Sequence, residues 1–141
     1  MQTDVAQLYQ SLKSTSGTSY SEALAIDKAS NALNTDINTA NTDAKAVSSV
    51  TSAQASALLT ILSNTYTNVS AASKRLIALE PAFKKLGVAG IAKNDVNQLA
   101  SSTKTFGATL VNKAPAAQKS SASSLAGQYN AALASAAAAY A

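Results

Sequence analysis

The chain has 141 residues, the length of one domain with one core, and a net charge of +4. It contains neither cysteine nor histidine, which removes thiol chemistry, disulfides, most zinc sites and the usual general base. Ala, Ser and Thr supply 65 residues against 28 from Leu, Ile, Val and Phe, so it is helical periodicity, the helix propensity of Ala and the scarcity of Pro and Gly that argue for a folded chain over a disordered one.

That periodicity is sustained. A first helix is predicted from about Thr3 to Lys13, with Val5, Leu8, Tyr9 and Leu12 on one face, Thr3 or Asp4 as its cap and 14–17 as its end. Ser19-x-x-Glu22 is a capping box that opens a second helix, whose seam is Ala23, Ile26, Ser30, Leu33, Ile37, Ala40, Ala44 and Val47. Thr51-x-x-Gln54 opens a third, with the seam Ala55, Leu58, Leu62, Tyr66 (or Thr65), Val69, Ser73 and Leu76, widened by Leu59, Ile61, Ile77 and Leu79. Pro81 is expected to close or kink it near Glu80, with one further turn over 81–86 and Gly87 and Gly90 as breakers. The fourth helix follows Lys93 or Asn94 and carries Val96, Leu99, Thr103, Phe106 and Leu110, stopping near Asn112. Pro115 suits the first turn of the fifth, whose seam is Gln118, Ala122, Leu125, Tyr129, Leu133 (or Ala132), Ala136 and Tyr140. No segment has a period of two. The expected fold is all-α: an elongated antiparallel five-helix bundle, one short N-terminal helix plus four longer ones, forming a single ligand-binding domain over 1–141. Because the loops are short, sequential helices are expected to pack against each other.

So few large side chains cannot fill a long bundle at the usual interior density. Either the Ala and Ser seams let helices approach closely around a narrow dry core, or the bundle stays splayed around an apolar tunnel. Polar residues interrupt the seams at Thr103, Ser73 and Gln118, and Tyr66 and Tyr129 carry hydroxyls that need partners if buried. Their hydroxyls either bond back to their own helices or hold a ligand head group in an apolar cavity.

Several functions are excluded or disfavoured. No apolar run is long enough to span a membrane. Residues 1–72 are net acidic and 73–141 net basic, but the bases are scattered and lack interleaved aromatics, which argues against nucleic acid. The two glutamates, Glu22 and Glu80, sit at predicted helix ends, and no nucleotide or calcium motif occurs, so no enzyme, cofactor or metal site is expected. No signal peptide is visible; a polar capping segment directly after Met1 reads as a start after signal removal and leaves a secreted origin open.

The order of elements, with Leu76-x-x-Leu79-x-Pro81-x-Phe83-x-x-Leu86-Gly87, Asp95-Val96-x-x-Leu99, Phe106-x-x-x-Leu110, Pro115 and an Ala-rich last helix ending at Tyr140, resembles the fungal hydrophobic surface-binding protein A family, which includes the cell-wall galactomannoprotein antigens. The likeness covers essentially the whole chain. It implies a secreted or wall-attached, non-enzymatic bundle that is expected to be monomeric. Some relatives bind long-chain fatty acids in a central tunnel; others coat hydrophobic surfaces and recruit polyester-degrading hydrolases. The family has no short ligand motif, so the implied lining is positional: Leu62, Tyr66, Val69, Leu99, Phe106, Leu125, Tyr129 and Leu133, with Thr103 placed to hydrogen-bond a carboxylate. The Ser/Thr-rich stalk and lipid-anchor signal of wall-attached members are not seen, which points to a soluble secreted form or an excised domain. Asn68-Val69-Ser70 is a glycosylation sequon usable only if Asn68 faces outward. Three roles therefore stand: a fatty-acid carrier, a surface-active adhesion protein, and a wall structural domain without a ligand.

Overall fold

The computed structural model describes residues 2–141; the reading made at Met1 lies outside them. Five helices account for nearly all of the described residues: α1 (Gln2–Ser14), α2 (Tyr20–Ala46), α3 (Ser52–Leu86), α4 (Ala89–Lys113) and α5 (Ala116–Ala139). No strand occurs among the described residues.

Local chemistry sets the helix ends. Thr51 and Gln54 form the full reciprocal capping box, each side chain 3.1 Å from the other residue's backbone N. Ser19 completes only half of its own. Its Oγ accepts from the Glu22 N–H at 3.3 Å, while Glu22 accepts from Thr15 Oγ1 instead. Pro81 does not close its helix: α3 runs through it to Leu86 and ends at Gly87, whose φ of +85° lets the chain turn in the left-handed region. Gly90 is no breaker either, because α4 already begins at Ala89, several residues earlier than the seam alone implied. Pro115 is the N-cap of α5 and not part of its first turn. Val47, assigned to the α2 seam, is the exposed residue just past that helix.

Chain direction alternates from helix to helix, but the lateral packing departs from the expected order of neighbours. Contacts run α1–α2, α2–α4, α4–α5, α5–α3 and α3–α1, so the five helices close a ring. The hairpin of α1 and α2 inserts α1 between α2 and α3, and those two long helices do not pack extensively on each other. Parallel pairs carry much of the ring. Ser102 bonds Asn34 and Thr109 bonds Asn41, both 68 residues apart, and a constant separation means that α2 and α4 run in the same direction. Tyr129 on Leu62 and Tyr140 on Leu76, 67 and 64 residues apart, advance together along α5 and α3, which therefore also run in the same direction.

The buried cluster joins Val5, Leu8 and Leu12 of α1, Leu33 and Ile37 of α2, Leu79 and Phe83 of α3, and Leu99 and Phe106 of α4. Leu12 and Phe83 are its most deeply buried large side chains. At the α1–α2 turn, Gly17 has a φ of +78°, and a Cβ there would lie 2.7 Å from the Ala82 Cβ. Only glycine meets both demands.

Candidate functional site

A ring of five helices, unlike a four-helix bundle, has an axis that side chains must reach across. With Ala and Ser at so many inward positions, they do not. An apolar cavity of about 120 Å³ runs along that axis, and every helix contributes to its wall. It extends from Leu59 to Leu76 along α3 and from Val96 to Leu110 along α4, roughly 21–26 Å at 1.5 Å rise per residue. The hydrocarbon of one bilayer leaflet, about half of a ~30 Å core, is shorter than that. The thin seams thus leave a narrow apolar cavity along the axis.

Eight of the nine residues expected at the site line this cavity: Leu62, Val69, Leu99, Thr103, Phe106, Leu125, Tyr129 and Leu133. Tyr66 does not. Between the alternatives Tyr66 and Thr65, it is Thr65 that faces inward, three residues from Leu62 and four from Val69 on the helical stripe. Tyr66 stands behind the wall, its ring 5.2 Å from that of Tyr129 at 59°. The sequence reading also confined the tunnel to the last three helices and missed the walls from α1 and α2, namely Val5, Leu8, Leu12, Leu33 and Ile37. Their seams were legible, but which side of a ring they would face was not. Gln118 sits outside, in a polar groove between α3 and α5, with Nε2 3.4 Å from Ser56 Oγ.

The polar groups of the wall divide into two kinds. Thr65 Oγ1 donates to the Ile61 carbonyl at 2.8 Å, and Tyr129 Oη donates to the Leu62 carbonyl, so both are satisfied within the protein. Burial, with Tyr66 beside it, pushes the Tyr129 hydroxyl up to about 12, which keeps it protonated in any ordinary medium. Ser73 and Thr103 differ: neither hydroxyl makes a hydrogen bond to the protein, though both residues line the cavity. Inside an apolar tunnel they are two donors left without acceptors.

At one end, α1 is fastened over the gap between α2 and α3. Arg75 of α3 donates from Nε to the Leu12 carbonyl at 3.1 Å and from a terminal nitrogen to the Thr15 carbonyl at 2.8 Å. A guanidinium thus neutralises the C-terminal carbonyls of α1, where the helix dipole is negative. Among the described residues no group of three or more metal-ligating side chains comes together, and no helix is long and apolar enough to cross a membrane.

Comparison with known proteins gives a consistent picture. The profile described as "Hydrophobic surface binding protein A" matches residues 1–112. A solved structure of AFMP4P in complex with palmitic acid is similar at TM-score 0.93 and 27% identity, covering 99% of this chain and 92% of that one. Ligand binding domain 2 of Penicillium marneffei MP1 protein, in complex with arachidonic acids, shares the fold at TM-score 0.90 and 16% identity, over 99% of this chain and 86% of that one. Ligand binding domain 1 of the same protein follows at TM-score 0.80 and 16% identity, over 99% and 91%. No match was found among curated proteins.

Proposed function

The chain belongs to the hydrophobic surface binding protein A family, and from that premise we propose that it is a secreted, non-enzymatic carrier of a long-chain fatty acid or similar lipid. Residues 1–141 act as one ligand-binding unit. The observation that carries this reading is the axial tunnel, apolar along its length and walled by all five helices. An acyl chain would supply the apolar area that the thin seams lack, at roughly 25 cal/mol per Å² removed from water. Support comes also from the palmitic-acid complex of the similar AFMP4P fold.

In this reading Leu62, Val69, Leu99, Phe106, Leu125 and Leu133 contact the chain of the lipid. Thr103 donates to the carboxylate, and Ser73 is the second free donor. Tyr129 braces the wall through Leu62, with the tilted ring of Tyr66 behind it. An extracellular or cell-wall site of action fits a family described by hydrophobic surfaces.

Mass spectrometry of lipids extracted from the purified protein tests the proposal directly: a stoichiometric long-chain acid is expected. The apo protein should also melt at a higher temperature as palmitate is added, since a ligand bound only by the folded state stabilises it. An empty protein whose melting ignores palmitate removes the carrier reading.

One observation favours a second role, adhesion to apolar surfaces. Leu24, Leu58 and Ile61 are exposed large hydrophobics, and such positions would contact a wax or polyester surface first. That role requires saturable adsorption to hydrophobic beads with helix content retained; protein remaining in solution beside the beads excludes it.

A further inference from the structure

The parallel pairing of α2 and α4 is built on a repeat. Asn34 accepts from Ser102 at 2.6 Å, and one heptad later Asn41 accepts from Thr109, also at 2.6 Å. One heptad earlier, at the same separation of 68 residues, stand Asp27 and Asp95. The register of the two hydrogen-bonded rungs sets their carboxyls across from each other, with Asp95 only 9% exposed. Two carboxylates cannot share a hydrogen bond unless one of them keeps a proton. The rung is therefore chemically unlike the two below it: they hold at any ordinary pH, and it holds only while protonated.

We propose that Asp27 and Asp95 form a proton-sharing latch that clamps α2 to α4 in acid and slackens this wall of the tunnel as pH rises. Its bearing on lipid release rests on the carrier reading; its bearing on stability does not. The latch adjoins the cavity, because Val96 and Leu99 on α4 and Leu33 and Ile37 on α2 are wall residues. The groups around it leave it uncompensated. From α2 the facing titratable group is Asp27. No lysine, arginine or tyrosine from α1, α3, α5, α4 or the rest of α2 forms an ion pair or hydrogen bond with Asp95.

Burial, then the hydrogen bond and charge of Asp27, push the Asp95 carboxyl up to about 8. In an unfolded chain it would titrate near ~3.9. Folding therefore retains a proton between those limits. The contribution is complete below the unfolded value, falls as pH rises, and is gone once pH passes the folded value.

The missing histidine and cysteine make the test clean. Between about pH 5.5 and 8.5 the terminal amine is the only other group of ordinary pKa that titrates. Melting temperature of the lipid-free protein should be measured across that window for the wild type, Asp95→Asn and Asp27→Asn. The wild type should lose about 5 °C or more as pH rises. Asp95→Asn, whose amide can donate to Asp27 at every pH, should be flat. Asp27→Asn extends the amide series of Asn34 and Asn41 and should show a reduced slope, since burial of Asp95 persists. A flat wild type, or an Asp95→Asn protein with the wild-type slope, overturns the latch. In a second arm, release of a preloaded fluorescent polyene fatty acid should accelerate several-fold over the window in the wild type and stay constant in Asp95→Asn. Equal release at all pH values in the wild type overturns the coupling to the tunnel. A pH-dependent melt in a protein that takes up no fatty acid supports the latch and overturns the carrier reading.

Discussion

Arg75 is the single arginine of the chain, and its two hydrogen bonds reach carbonyls 63 and 60 residues away in sequence. Both are charge-assisted and end on a helix C-terminus, so Arg75→Ala should lower unfolding free energy by about 2 kcal/mol in a denaturant titration. Arg75→Lys should recover only part of it, because an ammonium is a point charge without the fork that spans two carbonyls. Gly17→Ala belongs beside it: a strained φ and a 2.7 Å approach to Ala82 predict a loss of about 2 kcal/mol or more, read in the same titration. The sequence marked Gly17 as a helix end and could not mark it as a close contact, since Ala82 is 65 residues away. Thr103 shows the reverse. Its place on an apolar stripe was legible, whereas the lack of a protein partner for its hydroxyl was not, and the head-group role proposed for it is open to a direct test. Thr103→Val should leave stability within about 0.5 kcal/mol and weaken palmitate binding roughly tenfold, the worth of one hydrogen bond to a charged group. Equal binding by both proteins would move the head group to Ser73.

At the scale of elements, the helices were readable because each carries its own signals. Thr51 with Gln54, Gly87, and the seams through Ile26, Leu33 and Ile37 are all local in sequence. The partners were not readable in the same way. Short loops favour sequential neighbours, but α1 fills the space between α2 and α3, and the ring that results pairs α2 with α4 and α3 with α5. A signal for one of those pairings does exist in the chain, as polar residues at 27, 34 and 41 matched by others at 95, 102 and 109. It is visible only as a relation between two helices, and each helix alone reads as having a polar flank. Pro81 is the other element-level departure. A proline within a helix lacks the N–H that would bond the carbonyl four residues back, and it crowds that carbonyl. Packing of Leu79 and Phe83 in the core, 3% and 2% exposed, holds the helix together across it. Because Pro81 itself is exposed, Pro81→Ala should restore the bond without disturbing the core and raise stability by about 2 kcal/mol, measured as a shift of the chemical midpoint at constant m-value.

For the whole molecule, the tunnel follows from composition and topology together. Five helices in a ring leave an axis wider than four would, and Ala122, Ala126 and Ala136 on α5 cannot close it. A chain this poor in large side chains would ordinarily sit near the edge of folding; in the proposed carrier role, an acyl chain along the axis adds the apolar area that the seams lack. Filling the axis with protein should therefore separate stability from function. Val69 lies near the middle of the lined stretch of α3, and Val69→Phe would project a ring into the cavity. Because the added ring occupies existing space, the lipid-free protein should lose less than about 1.5 kcal/mol, far below the usual cost of overpacking a filled core. Palmitate should bind at least about tenfold more weakly, since the chain can no longer run the length of the tunnel, whereas an acid short enough to lie on one side of residue 69 should bind nearly as before. Calorimetric titration of both acids into both proteins decides the matter. Undiminished palmitate binding by a well-folded Val69→Phe protein would mean that the lipid lies on the outer surface, where Leu58 and Ile61 are exposed, and the adhesion role would take precedence over carriage.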